Sequence, residues 1–267
     1  MKTVTIEELL SWAFVHELPK GGGVDGLANA NSAWRMLQAS SWGKVTAFAE
    51  LMTLVDTSPG GGNYLFEQGE PHDDALAVGE AVAALAFAEH VLPDGWWPLP
   101  DWQLAGEVER GLAETAVGRA LERWQARRPA RRAALIVNLV VGSAILGRGP
   151  HWEAPQPKVR MVMRAGRPAW FRMVTVSDDL GQPHPREVDG FDARHGRRHR
   201  DAYRKCEFGE DPVGDIMGRI DYLLWRMACA AVAKEGSSRL VSHRLAASDV
   251  EDEPWRFVAA SSDGVAA

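Results

Sequence analysis

The sequence predicts a mainly α protein: an N-terminal helical bundle over 1–150, then a small α+β region over 151–267 with a β-hairpin and a long C-terminal helix. Three observations carry that prediction. Apolar residues recur at helical spacing through much of the first 150 residues. After Gly147-Arg148-Gly149-Pro150 the pattern turns Pro-rich and then alternates, with Val159, Met161 and Met163 set between Arg160, Val162 and Arg164. Helical spacing then returns at Val213, Ile216, Met217, Ile220, Leu224, Met227 and Ala231. With 267 residues, 46% hydrophobic and 25% charged, the chain can bury a large core.

The elements follow in order. Thr5-Ile6-Glu7-Glu8 reads as a capping box, with Leu9, Leu10, Ala13, Phe14 and Leu18 as the apolar stripe of a first helix ending at Pro19. A second helix starts near Asn31 or Ser32 and carries Trp34, Met36 and Leu37; a third follows Ser41, and Gly60–Gly62 marks a loop. His72-Asp73-Asp74 opens an Ala-rich helix running to about Leu92, its acids read as capping charges at the positive end of the dipole. Another helix covers about 107–127. Pro129 starts the next, whose stretch Ala133–Leu146 reads as a buried central helix. That stretch is shorter than the ~20 residues a bilayer needs, and Asn138, Gly142 and Ser143 interrupt it, so no membrane is expected.

In the second half, 159–164 and 170–176 read as the strands of a hairpin turning at 165–168. From 177 to 210 the chain is polar and turn-rich. Asp211-Pro212 then caps the last helix, which Gly236 terminates. A short strand fits 239–245, and the tail from Ser248 reads as fraying. Eleven tryptophans are spread from Trp12 to Trp255 without a repeat, so most read as core anchors. Two cysteines make no disulfide framework, and with no signal peptide at the N-terminus the expected setting is the host-cell cytoplasm.

Charge divides the chain more sharply than composition does. Between Lys158 and Lys205 twelve basic residues face six acidic ones, so this segment is +6 in a chain that is −6 overall. Such an asymmetry points to an anionic partner, either nucleic acid or an acidic protein surface. The candidate anion-binding residues are Arg160, Arg164, Arg172, Arg194, Arg197, Arg198 and Arg200. A competing reading uses Asp189, Asp192, His195 and His199 in a metal-dependent hydrolase or nuclease. His195 and His199 stand four apart, the spacing of two ligands on one helix face, with His184 as a third candidate. Gly196 sits where a zinc hydrolase places its glutamate, and the surrounding arginines oppose a divalent cation. A third reading is a virion or assembly component that docks through Trp96, Trp97 and Trp102. Phosphate-loop, nucleophile-elbow and dinucleotide-binding motifs are absent, and no cofactor is expected.

The residues Gly166-Arg167-Pro168-Ala169-Trp170, Asp189-Gly190-Phe191-Asp192, Asp201-Ala202-Tyr203-Arg204-Lys205, Asp211-Pro212, Tyr222, Leu224-Trp225 and Pro254-Trp255 carry a resemblance. This arrangement resembles uncharacterised proteins of alphaproteobacterial phages and prophages. The resemblance implies a mobile-element origin and supplies no catalytic residue. The sequence reading is therefore a non-enzymatic phage or mobile-element accessory protein that binds an anion through its Arg/His-rich segment.

Overall fold

The computed structural model describes residues 1–21, 70–178 and 181–256. Of these, 45% are helical and 17% lie in strands, an α-rich mixed fold. The helices expected after Asn31 and Ser41 and the loop at Gly60–Gly62 lie outside the described residues. The chain forms two compact units. One comprises Met1–Asp101, Leu121–Glu153 and Met217–Ala267; the other comprises Trp102–Ala120 and Ala154–Ile216. The units interleave along the chain, whereas the sequence reading draws a single boundary at 150.

The first unit is helical. Strand β1 (Lys2–Val4) leads into α1 (Ile6–Trp12), whose N-terminus is the expected capping box: Thr5 Oγ1 accepts the Glu8 N–H, and the Glu8 carboxylate accepts the Thr5 N–H at 3.0 Å. The chain then widens into a π-helical turn, Ala13–Glu17, before a 3-10 turn, Leu18–Gly21. Ile6, Leu9, Leu10, Ala13, Phe14 and Leu18 are all buried, so the predicted stripe is the core face. Helix α2 (Asp73–Ala84) stops well short of Leu92: Ala88 is extended, and the His90 ring bonds the Leu85 carbonyl at 2.8 Å.

Helix α3 spans Glu107–Gln125. Helix α4 (Pro129–Leu146) has the predicted proline in its first turn and ends on Gly147 at φ 63°, the left-handed conformation that glycine adopts freely. It is the one described helix long and apolar enough to cross a membrane. Ala133, Ile136, Val137, Val140, Val141 and Ala144 bury one face, while Ile145 and Leu146 are exposed. The expected central helix is thus buried on one side only.

The last helix, α5 (Val213–Gly236), begins as expected, with Asp211 Oδ1 accepting the Val213 N–H. Its buried stripe runs Val213, Ile216, Ile220, Leu224, Ala228 and Val232. Met227, expected inside, is 38% exposed, because the stripe advances by fours beyond Leu224. Strand β10 (His243–Leu245) pairs in parallel with β1, with Thr3 opposite Arg244. The tail does not fray at once: Trp255 is 0% exposed, packs against Trp152 and Tyr222, and lies under the Arg219 guanidinium.

The second unit is built from short antiparallel pairs. Strand β2 (Val159–Met161) pairs with β9 (Cys206–Phe208). Strands β3 (Met163–Arg164) and β4 (Arg167–Pro168) form a minimal hairpin whose two turn residues, Ala165 and Gly166, both have positive φ. The predicted hairpin turn is therefore real, but its strands are not each other's main partners. The long ribbon is β5 (Phe171–Ser177) with β6 (Pro183–Asp189), followed by the small hairpin β7 (Phe191–Asp192) and β8 (Arg197–Arg198). The stretch 177–210, polar and turn-rich in sequence, thus contains strands. Its core is shallow, with Trp102, Val117, Val213 and Ile216 as its larger buried side chains. The Trp102 indole donates to the Ala154 carbonyl at 2.8 Å and meets Phe208 edge-on.

Candidate anion-binding surface

The basic segment is shaped by its own acids. Asp189 Oδ1 accepts the Phe191 N–H at 2.9 Å and tightens the step from β6 to β7. Gly190, inside that step, leaves no room for a side chain: a Cβ there would lie 2.7 Å from the Phe171 carbonyl oxygen. Asp192 Oδ1 accepts the N–H groups of Arg194 and His195, folding the β7–β8 turn, and Gly196 completes it at φ 65°. Arg194 and Arg197 are thereby held on a short, exposed hairpin.

Three of the seven predicted arginines already have internal partners. Arg160 Nε bonds Glu207 at 3.1 Å across the β2–β9 pair. Arg164 pairs with Asp189. Arg172 is half-buried, with Nη1 3.3 Å from His199 Nδ1 and Nε buried without a partner. The other four, Arg194, Arg197, Arg198 and Arg200, are exposed and have no carboxylate within ion-pair distance among the described residues. Arg167, Arg186 and Arg204 share that property.

The structure adds a feature that the spacing did not reveal. The half-buried Trp170 ring has two guanidinium groups over it, Arg198 at 4.9 Å and Arg204 at 4.6 Å from the ring centre. Cation–π stacking holds a guanidinium by its flat face and leaves its N–H edge for an anion. Arg204 belongs to the basic run but not to the candidate set read from sequence; only the fold brings it to Trp170.

Three acids of the segment, Glu187, Asp189 and Asp192, are held in the ionised form. The Lys205 ammonium and the Tyr203 hydroxyl, both bonded to Glu187, hold its carboxyl below the usual range. The Phe191 N–H does the same for Asp189, with Arg164 assisting. His195 does it for Asp192, at 2.6 Å. Glu187, Asp189 and Asp192 are thus each spoken for locally.

The metal cluster of the competing reading does not assemble among the described residues. Only Asp192 and His195 meet; Asp189 is turned to Arg164, and His199 to Arg172. His184 lies opposite Val176, at the far end of the ribbon from Asp189. Among the described residues no group of three His, Cys, Asp or Glu could hold a metal ion. The tryptophan loop is also occupied internally. Trp96 and Trp97 are half-buried, Trp96 donates to Glu253 at 2.5 Å, and Trp102 is buried.

A second polar constellation, in the helical unit, also escaped the sequence reading. The Asp74 carboxylate is fully buried and accepts the N–H groups of Val241, Ser242 and His243 and the His243 ring Nδ1 at 2.8 Å. Asp74 is therefore not a capping acid; His72 caps α2, its Nδ1 accepting the Asp74 N–H at 3.0 Å. The His243 ring lies 4.5 Å from Trp12. This is an aspartate orienting a histidine, as in hydrolytic triads. No hydroxyl or thiol hydrogen-bonds to the other ring nitrogen among the described residues, so the pair serves as the anchor of β10.

No family model, no curated protein and no solved structure matches the chain.

Proposed function

We propose that this protein is a non-enzymatic binding protein whose β-rich unit grips the phosphates of a nucleic acid. The observation that carries the reading is the Arg198–Trp170–Arg204 stack, set among arginines that lack internal carboxylate partners. Arg supplies ten of the twelve bases between Lys158 and Lys205, and its planar fork matches phosphate in a way an ammonium does not. Two guanidiniums held flat on one ring keep their N–H edges for phosphate oxygens, and this favours nucleic acid over an acidic protein surface. The phage or mobile-element setting in a host cytoplasm rests on the resemblance of the C-terminal part.

The test is a salt series of binding to labelled single- and double-stranded DNA and RNA. It compares the wild type with a variant in which Arg197, Arg198, Arg200 and Arg204 are changed together to Ala. Each arginine that meets a phosphate should, once replaced, flatten the log–log salt slope by roughly 0.7–0.9. Binding that is steep in salt for the wild type and flat or abolished in the variant supports the reading. Absence of binding at low salt overturns it and turns the search to acidic protein surfaces.

A further inference from the structure

We infer that the outer edge of β5 is a self-recognition edge, which pairs antiparallel with the same strand of a second copy about a two-fold axis at Thr175. The argument starts from the direction of the backbone groups. Phe171 exchanges both bonds with Tyr203, N–H to carbonyl at 2.8 Å each way, so its polar groups point away from β6. Backbone groups alternate in direction along a strand, so Met173, Thr175 and Ser177 also point away from β6. Arg172, Val174 and Val176 make the ladder to β6 instead. The Gly190 N–H to Trp170 carbonyl bond at 2.8 Å and the Asp178 N–H to Gln182 carbonyl bond at 3.0 Å keep the same parity.

The two edges of the ribbon are then unlike. On β6 the outward positions opposite Thr175 and Ser177 are Pro185 and Pro183, which have no N–H to offer. That edge is closed to strand addition, as natural edges are. On β5 the bridge to Tyr203 covers only Phe171. The backbone of Met173, Thr175 and Ser177 meets no partner among the described residues, and all three side chains are exposed. A protein that blocks one edge with two prolines leaves the other open.

A second copy fits this edge without strain of register. With Thr175 opposite Thr175, Met173 faces Ser177 and Ser177 faces Met173, so all three outward pairs can exchange both bonds. On the other face Val174 comes opposite Val176, and Arg172 opposite Asp178 of the other copy, an apolar pair and an opposite-charge pair. A two-stranded ribbon is marginal in water, and pairing would make it four-stranded. The interface is isologous, as a two-fold dimer requires.

The experiment is the mass in solution of the full chain by light scattering and sedimentation equilibrium, at concentrations spanning several decades. A mass of twice 29.3 kDa is expected at the upper end. Thr175→Pro removes the central outward N–H and no ladder bond, so it should give a monomer with unchanged far-ultraviolet dichroism. Thr175→Lys, which sets like charges opposite each other at the axis, keeps the test valid should the proline variant misfold. It should weaken the dimer about fivefold. A wild type that stays monomeric throughout, or a dimer that neither variant weakens, overturns the inference. Changing Arg197 and Arg200 to Ala should leave the dimer intact, which separates this edge from the nucleic-acid surface.

Discussion

The two units handle charge in opposite ways. In the helical unit two ionised groups that leave water, Arg219 and Asp74, are each matched by several partners. Arg219, 1% exposed, donates to both oxygens of Asp101, at 2.5 and 2.7 Å, to the carbonyls of Pro98 and Trp152, and lies over Trp255. Asp74 is satisfied by the backbone leading into β10 and by one imidazole. In the β-rich unit Glu187, Asp189 and Asp192 are tied down locally, while Arg194, Arg197, Arg198 and Arg200 are exposed with no carboxylate partner among the described residues. The difference teaches what each charge is for. A charge taken out of water must be matched or it costs several kcal/mol. A charge left in water costs little and stays free to meet a ligand. Substitutions in the first unit should therefore be read in stability, and those in the second in binding.

The sharpest way to break this comparison is Arg219→Ala. It strands the Asp101 carboxylate and uncovers two carbonyls, so a loss of about 3–5 kcal/mol is expected in urea unfolding. A loss below ~1 kcal/mol would mean that the buried charge is not structural, and the contrast between the units would fail.

Two carboxylates of the helical unit sharpen it further, because their environments act in opposite directions. For Asp221, burial raises the pKa to about 6, and the opposing field of Arg127 only partly offsets it. Asp221 Oδ1 is also buried without a hydrogen-bond partner. The folded state thus prefers the protonated acid, and stability falls as pH rises from about 4 to about 6. Asp221→Asn should stabilise the protein by up to about 3 kcal/mol at pH 7, with the gain vanishing below pH ~4. For Asp74, burial pushes the carboxyl up, but the Val241, His243 and Ser242 donors outweigh it and the value is lowered. Its contribution is present above the unfolded value of about 3.9 and is lost as pH falls through the folded value. Asp74→Ala should cost about 2 kcal/mol at pH 7, with the difference shrinking in acid. Urea melts from pH 3 to 8 on both variants check the two signs together.

Gly190→Ala tests the packing of the β-rich unit. The added methyl meets the Phe171 carbonyl at 2.7 Å and Ala202 Cβ at 2.9 Å, so a cost of about 1–3 kcal/mol is expected. The nearby basic hairpin should move with it, which thermal melts and the salt-dependent binding assay would both register.

The sequence carried local structure well and long-range pairing poorly. Thr5 with Glu8, Pro129 with Gly147, and Asp211 before Pro212 mark helix ends because capping is decided by residues within one turn. The pairing of β1 with β10 and of β2 with β9 depends on partners far along the chain, and no local pattern specifies them. Strand β6 escaped because Pro183, Pro185 and its charges hide the alternation in an exposed ribbon. Arg219 and Asp74 look on paper like any solvated charge on a helix; only tertiary burial distinguishes them. The candidate surface was legible as a charge run. Which of its arginines are engaged internally, and which rest on Trp170, required the fold.

The smallest expected change in stability is the most telling for function. Arg197 and Arg200 are exposed, without carboxylate partners, and stack on no ring among the described residues. Changing both to Ala should shift unfolding by no more than about 0.5 kcal/mol, since surface substitutions away from packed features rarely do more. The same double variant should weaken nucleic-acid binding and flatten its salt slope by roughly 1.4–1.8 if both residues meet phosphate. Stability and binding would then separate at two residues. If instead the variant unfolds readily, the basic hairpin is part of the structural frame, and its charge is retained for folding rather than for a partner.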